Sequence, residues 1–337
     1  MHDDLLLALG FVIYLVAIAI FGLVAYLRTH DVPGFILGNR KLSYYVTALS
    51  AGASDMSGWL LLGLPGLAYV SLFESFWIAV GLFLGTYTNW LFIARPLREQ
   101  SERFSNALTI PEFFQYRFDD DTGLLRKLSA LCILTFFVFY TAAGFIAGGK
   151  LFAASFGLPY TSAVVLGACL IVAYTSFGGF LAVAWTDALQ ATLMFFALVT
   201  VAGLALWHVG DLHHFSGAEI ISAPLTTPIS GTVVISSLAW GLGYFGQPHI
   251  LSRFMAIGDT AKLGQARKLA IGWTSIALCA AVVVGFSAHA VLELPLVASD
   301  REKVFILLVE LMLHPAVAGV CLAAILAAIM STADSQL

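Results

Sequence analysis

Ala53-Ser54-Asp55-Met56-Ser57-Gly58-Trp59 lies in the middle of an apolar stretch long enough to cross a membrane. A carboxylate, two hydroxyls and flanking glycines at that depth conflict with a plain lipid-facing helix. A charge in hydrocarbon costs several kcal/mol, so such residues face a cavity or an ion path. The stretch therefore reads as an interrupted membrane helix that lines a route, which is the property of a transporter.

Composition agrees. The 337 residues are 60% hydrophobic and 11% charged, against about 25% charged in soluble domains. A bundle of membrane helices in a lipid bilayer uses this much apolar sequence; one soluble core does not. The net charge of −4 gives no basic surface for nucleic acid. Cys132, Cys169, Cys279 and Cys321 sit inside apolar runs at no metal-ligand spacing and read as small core residues. Met1-His2-Asp3-Asp4 is acidic where a signal peptide is positive, and Leu5 to Leu27 is too long for its apolar core, so that run reads as a true span.

A span takes about 20 apolar residues. Nine segments qualify: 5–27, 43–70, 76–94, 128–149, 160–180, 188–208, 231–251, 269–291 and 305 to the end. Alternating strands are absent, so all are helices, whose backbone groups bond within their own segment. With the N-terminus outside, thirteen of the sixteen Lys and Arg fall in the cytoplasmic loops, Arg40, Arg98 and Arg253 among them. That asymmetry sets the orientation and supports the span count. Five tryptophans lie near span ends, as in aromatic belts, while Trp59 and Trp240 lie mid-span. Ser-Ala-Pro-Leu-Thr-Thr-Pro (222–228) reads as a turn in an outer loop that also holds His213 and His214.

Two spans are interrupted. The second is broken between Gly52 and Gly58, and the seventh reads Trp240-Gly-Leu-Gly-Tyr-Phe-Gly-Gln-Pro248, which cannot form a regular helix without strain. Its fit to GxGxxG is a false positive, because no strand precedes it. Gly144 and Gly148, at small-xxx-small spacing, read instead as a close helix contact. The interrupted spans are five apart and start from opposite sides, so five-helix units beginning with each are inverted copies. Interrupted helices at equivalent places in inverted halves mark a secondary-transporter site. At about 1.5 Å per residue, residues 53–59 and 240–248 and Tyr140 share the bilayer midplane and can line one cavity.

Three blocks carry a family resemblance: Thr47 through Trp59 (TALSAGASDMSGW), Gly178 through Asp187 (GGFLAVAWTD) and Trp240 through Met255 (WGLGYFGQPHILSRFM). They resemble the sodium/solute symporter family, and within it most closely the bacterial members that carry proline. The resemblance covers the whole chain. It implies an all-α, LeuT-type five-plus-five fold with an extra first helix. The chain then forms one transporter domain over 1–337, with that helix at 5–27, a first repeat at about 43–208 and part of a second at about 231–337.

The resemblance also implies the site. Na+ is the coupling ion, held by the carbonyls of Ala53, Met56 and Ala328 and the hydroxyls of Ser331 and Thr332. Sodium is a hard cation that prefers oxygen, and an unwound helix frees carbonyls to supply it. Ser and Thr in membrane helices also commonly bond the preceding turn, and that reading stays open. Asp55 is implied to be essential for coupling, either near the ion or by holding the broken helix. Asp187, at the edge of the sixth span, and Asp334, one turn below Ser331, are implied along the inner ion path, although an ordinary interfacial role stays open for both. L-proline is implied to bind among Ser57, Trp59, Tyr140, Trp240, Tyr244 and Pro248, its carboxylate at a half-helix N-terminus and its ring and ammonium against aromatic faces.

The expectation is sodium-coupled proline uptake by alternating access across the bacterial cytoplasmic membrane, with no covalent chemistry and no protein partner evident. Three alternatives remain: the same fold with pantothenate, a sugar or another amino acid; a symporter-like sensor module; and an ion channel. Family members continue past the ninth span, so the sequence is expected to be a fragment that does not transport alone.

Overall fold

The computed structural model describes residues 2–157, 159–211, 230–292, 296 and 300–337. The 222–228 turn and the histidines at 213 and 214 lie outside the described residues. Among those described, every regular element is a helix. Helix α1 is His2–Tyr26, and short α2 is Val32–Leu37. The second span is α3 (Tyr44–Met56), a 3-10 turn (Gly58–Leu60) and α4 (Gly63–Val70). Helix α5 (Leu72–Phe92) bends by 41° into α6 (Ala94–Arg103). Then come α7 (Ile110–Arg117), α8 (Leu124–Phe156) and α9 (Tyr160–Asp211). The seventh span is α10 (Gly231–Ala239), a 3-10 segment (Trp240–Gly246) and α11 (Pro248–Ala256). Helices α12 (Leu263–Val291), α13 (Val304–Met312) and α14 (Pro315–Gln336) complete the order.

Among the described residues, five helices are long and apolar enough to cross a bilayer unbroken: α1, α8, the second half of α9, α12 and α14. Counting α5, the first half of α9 and the two interrupted spans gives the nine crossings read from the sequence.

Two boundaries and one packing contact differ from that reading. The fifth and sixth spans are separated by one residue, Gly179 (φ 60°, ψ −164°), rather than by a loop through 187. A left-handed φ breaks a helix abruptly, and glycine adopts it without a Cβ penalty. Residues 181–187 are therefore helical, and Asp187 lies two turns inside the second half of α9 rather than at its edge. The apolar run from 305 is two elements, because Leu313 is extended, the His314 ring accepts the Ala316 N–H at 3.4 Å, and Pro315 starts a new helix. Gly144 has nothing within 4 Å of where a Cβ would stand, and Gly148 faces only the Ile329 side chain, so the expected close helix contact does not form.

Helix α14 is the centre of the bundle. It is buried along most of its length and packs on α1, α3, α8 and α9. The Tyr14 hydroxyl of α1 donates to the Met330 sulfur at 3.6 Å and accepts from Gln190 of α9 at 2.8 Å, which ties the extra first helix to the core.

The two interrupted spans are pinned together at one end. The Leu42 N–H donates to Ala256 O at 3.1 Å, and the Gly258 N–H returns to Leu42 O at 2.9 Å. Around this bridge Arg40 donates to Met255 O (2.7 Å), Ala107 O (2.8 Å) and Asn106 Oδ1 (2.9 Å), and Arg98 donates to Ile257 O (2.8 Å). The sequence reading counted both arginines as loop charges, yet they are 9% and 5% exposed. Each replaces lost water with carbonyl acceptors, as a buried guanidinium requires.

The interrupted segment 240–246 lies directly on α5. A Cβ on Gly241 would fall on the backbone of Gly81, and one on Gly85 on the backbone of Gly241. We expect Gly85→Val to cost at least about 1–3 kcal/mol, the usual range for overpacking. Gly272→Ala, with open space around its Cβ position, should leave stability unchanged or slightly raised. Thermal unfolding of the detergent-solubilised protein measures both; an unchanged Gly85→Val would contradict this packing.

Candidate functional site

Helix α3 ends at Met56 because Ser57 takes a left-handed φ of 48° with ψ −175°. Its own hydroxyl accepts the Trp59 N–H at 3.1 Å, which stabilises the break. The carbonyls of the last turn of α3 then lack the N–H groups that a continuing helix would have supplied.

Helix α14 meets that turn with two hydroxyls. Ser331 Oγ lies 3.0 Å from Ala53 O and 3.1 Å from Ala328 O. Thr332 Oγ1 lies 3.1 Å from Ser54 O and 3.2 Å from Ala328 O. Each hydroxyl thus bonds its own preceding turn, as the second of the two sequence readings has it, and also reaches the end of the broken helix. Four of the five residues named for sodium, Ala53, Ala328, Ser331 and Thr332, come together, and all are buried. Met56, also buried, ends α3 one turn beyond Ala53. The Ser54 carbonyl joins the set; no side-chain signal in the sequence marks a backbone oxygen. Carbonyls and hydroxyls are hard donors that suit an alkali or alkaline-earth cation over a soft metal.

Asp55 does not face Ser331. Its carboxylate accepts a hydrogen bond from the Tyr244 hydroxyl, so it links the first interruption to the second. Asn89 of α5 holds the same segment by donating to Tyr244 O at 2.9 Å.

A cavity of about 670 Å³ opens beside the first break, lined by Ser57, Trp59, Tyr140, Gly144, Thr332 and Gln336 among others. Ligand pockets commonly span about 300–1,000 Å³. The Trp240 ring lies 5.2 Å from that of Trp59, tilted by 38°. Of the six residues named for the solute, Ser57, Trp59 and Tyr140 line this cavity and Trp240 extends it through Trp59. Tyr244 turns to Asp55, and Pro248, the first residue of α11, is not among the lining residues.

A charged network lies next to the hydroxyls. Arg253 donates to Asp187 Oδ2 (2.9 Å), Ser335 Oγ (2.6 Å), Ser50 Oγ (3.0 Å) and His249 O (2.7 Å). Ser50 and Ser54 both donate to the same Asp187 oxygen, at 2.6 and 3.0 Å. Asp334 is buried, with the Ser335 hydroxyl 3.3 Å away. The sequence reading placed Arg253 in a cytoplasmic loop and Asp187 at an interface. The structure buries both, at 1% and 0% exposed, as an ion pair. Ser50, Ser54, Arg253 and Ser335 were missed, because this pairing joins residues 66 or more apart in sequence.

The profile described as the sodium:solute symporter family matches residues 35–337. The sodium/proline symporter of Haemophilus influenzae is 45% identical over 97% of this chain and 68% of its own length. That of Escherichia coli is 44% identical over 97% and 67%, and the osmoregulated proline transporter of Bacillus subtilis is 42% identical over 100% and 69%. The chain thus spans about two thirds of these relatives. A solved Na+-coupled sialic acid symporter in a substrate-bound outward-open state superposes with a TM-score of 0.82, at 17% identity, over 98% of this chain and 72% of that one.

Removing one partner of a buried ion pair leaves an uncompensated charge and costs about 3–5 kcal/mol. Asp187→Ala should lower stability by that order, and Asp187→Ala with Arg253→Met by less than the sum of the two single changes. A thermal-unfolding double-mutant cycle measures the coupling; strict additivity would contradict the pairing.

Proposed function

The chain belongs to the sodium:solute symporter family, and on that premise we propose that it carries L-proline into the cell with Na+ by alternating access. The observation that carries this reading is the meeting of the Ser331 and Thr332 hydroxyls with the Ala53 and Ser54 carbonyls at the break in α3. Three curated proline carriers at 42–45% identity support the solute.

Sodium binds where the hydroxyls now bridge, with Met56 O completing the shell. It draws the end of α3 onto α14 by replacing two weak shared hydrogen bonds with ion–oxygen contacts. That fixes Ser57 and Trp59, which line the adjoining cavity. Proline then packs its ring on Trp59 and Trp240 and places its polar groups toward Ser57, Tyr140 and the free backbone of the break. Tyr244 and Pro248 act through the second broken segment, Tyr244 by holding Asp55. Ion and solute each stabilise the same arrangement, so each raises the other's affinity by the same factor. Inward movement is driven by the sodium gradient and by the membrane potential, worth about 2.3 kcal/mol per charge per 100 mV. Asp187 and Asp334 border the inner route. Because Arg253 occupies Asp187 Oδ2, an ion leaving past that carboxylate exchanges with the guanidinium. The N-terminus lies outside and the basic loops in the cytoplasm.

The test is labelled proline uptake by cells lacking their own proline carriers and expressing the intact protein. Uptake in sodium buffer should vanish in choline buffer and in Asp55→Ala. Ser331→Ala or Thr332→Val should raise the half-saturating sodium concentration about tenfold or more, since each removes one oxygen ligand from the ion, a loss of the same order as a hydrogen bond to a charged group, about 1.5–3 kcal/mol. No sodium-dependent uptake with the protein present in the membrane would overturn the solute assignment in favour of another small solute.

A further inference from the structure

A separate cavity, of about 490 Å³, lies among α2, the turn at 38–41, α6 and the segment that leads to α7. Three of its lining side chains are cations, Arg40, Lys41 and Arg98, and one is an acid, Glu102. The acid is engaged, because Arg98 Nη1 donates to Glu102 Oε2 at 2.6 Å. Asp31 also feels the Lys41 charge, but its Oδ1 accepts the Gly34 N–H at 2.8 Å and Asn39 Nδ2 at 3.0 Å, where it caps α2. Arg40 meets only neutral oxygens, those of Ser101, Met255, Ala107 and Asn106. Among the described residues Lys41 makes no ion pair. Burial, and then the nearby Arg98 charge, push the Arg40 guanidinium down to about 10 from its usual 12.5. Neutral oxygens replace the water that Arg40 has lost but supply no counter-charge, so the cavity favours an anion.

Donors are left to meet one. Arg98 spends Nε on Ile257 O and Nη1 on Glu102, which leaves Nη2. Arg40 donates to Asn106 Oδ1, which fixes that amide and leaves its Nδ2 as a donor. Lys41 is exposed and adds its ammonium. Guanidinium, ammonium and amide N–H groups match the oxygens of a phosphate ester. The surroundings set the kind of ester. Pro33, Leu37 and Leu108 give the cavity an apolar wall, and Val32, Phe35 and Ile36 of α2 are exposed beside it. Helix α2 begins within a few residues of the end of α1, a membrane span, so it lies at the bilayer surface. A soluble anion would use the cations alone; a lipid uses the cations and the apolar residues together.

We propose that Arg40, Lys41 and Arg98, with Asn106 beside them, bind the phosphodiester headgroup of an anionic phospholipid whose acyl chains lie along Val32, Phe35 and Ile36. The inference rests on the membrane orientation proposed above, which turns this cavity to the cytoplasmic leaflet, where basic pockets between helices take anionic headgroups. Arg40 and Arg98 also clamp one end of both interrupted spans. The lipid therefore steadies that clamp and holds neither ion nor solute.

The test is native mass spectrometry of the intact, purified protein in detergent, titrated with phosphatidylglycerol or phosphatidylcholine without sodium or proline. Phosphatidylglycerol should fill a first site about tenfold or more tightly than phosphatidylcholine, as expected where several basic side chains act together. Lys41→Gln should weaken that site about fivefold, the effect of roughly 1 kcal/mol from one basic side chain at an anionic surface, and Lys41→Arg should restore it. Lys41 is exposed, so its replacement does not threaten folding. Lys262→Gln, which removes a cation outside this cavity, should change nothing. Phosphatidylglycerol bound no more tightly than phosphatidylcholine, or undiminished by Lys41→Gln, would overturn the site. So would glycerol phosphate bound as tightly as the whole lipid, because the ligand would then be a free anion. None of these outcomes bears on symport, which proline uptake decides separately.

Discussion

Everything at the centre of this molecule depends on how backbone carbonyls are satisfied where a membrane helix stops. Inside a bilayer each helix must satisfy its own backbone groups. At Ser57 the α3 ladder ends, and the carbonyls of Ala53 and Ser54 are met by hydroxyls from another helix. Those hydroxyls divide their single protons between the broken helix and their own preceding turn. The arrangement is therefore replaceable: a cation satisfies the same carbonyls and leaves the hydroxyl protons for α14.

The surrounding architecture keeps that weak point in register. Backbone-to-backbone contact between α5 and the 240–246 segment needs glycine on both sides. The Leu42–Ile257 bridge and the Arg40 and Arg98 clamps fix one end of both interrupted spans. The Asp187–Arg253 pair ties α9, α11 and, through Ser50 and Ser54, α3 into one charged core beside the hydroxyls. These are discrete contacts that either hold or break, which suits alternation between states better than gradual deformation.

The apolar helices and the two interruptions were legible in the sequence, and the meeting of the first break with Ser331 and Thr332 was implied by the family resemblance. Glycine, proline and polar residues clustered inside an apolar run are too costly in lipid to stand there without a break or a cavity. What stayed hidden depended on partners distant in sequence. Arg253 looked like a loop charge until Asp187 supplied a buried carboxylate. Asp187 looked interfacial because a break of one glycine leaves no polar linker to read. Gly144 had the spacing of a packing motif, but spacing does not say which face a residue presents, and here that face lines the cavity. Pro315 was passed over because, apart from His314, the run around it is apolar.

The most direct measurement is the affinity of the purified, reconstituted protein for proline as sodium is raised at constant ionic strength. The account predicts a proline Kd that falls steeply with sodium and then levels, and a sodium affinity that rises by the same factor when proline is present. It also predicts that Ser331→Ala moves the sodium midpoint while the saturating proline affinity is retained. Proline bound equally tightly in sodium and in choline would contradict the claim that the ion completes the broken helix on which the solute rests.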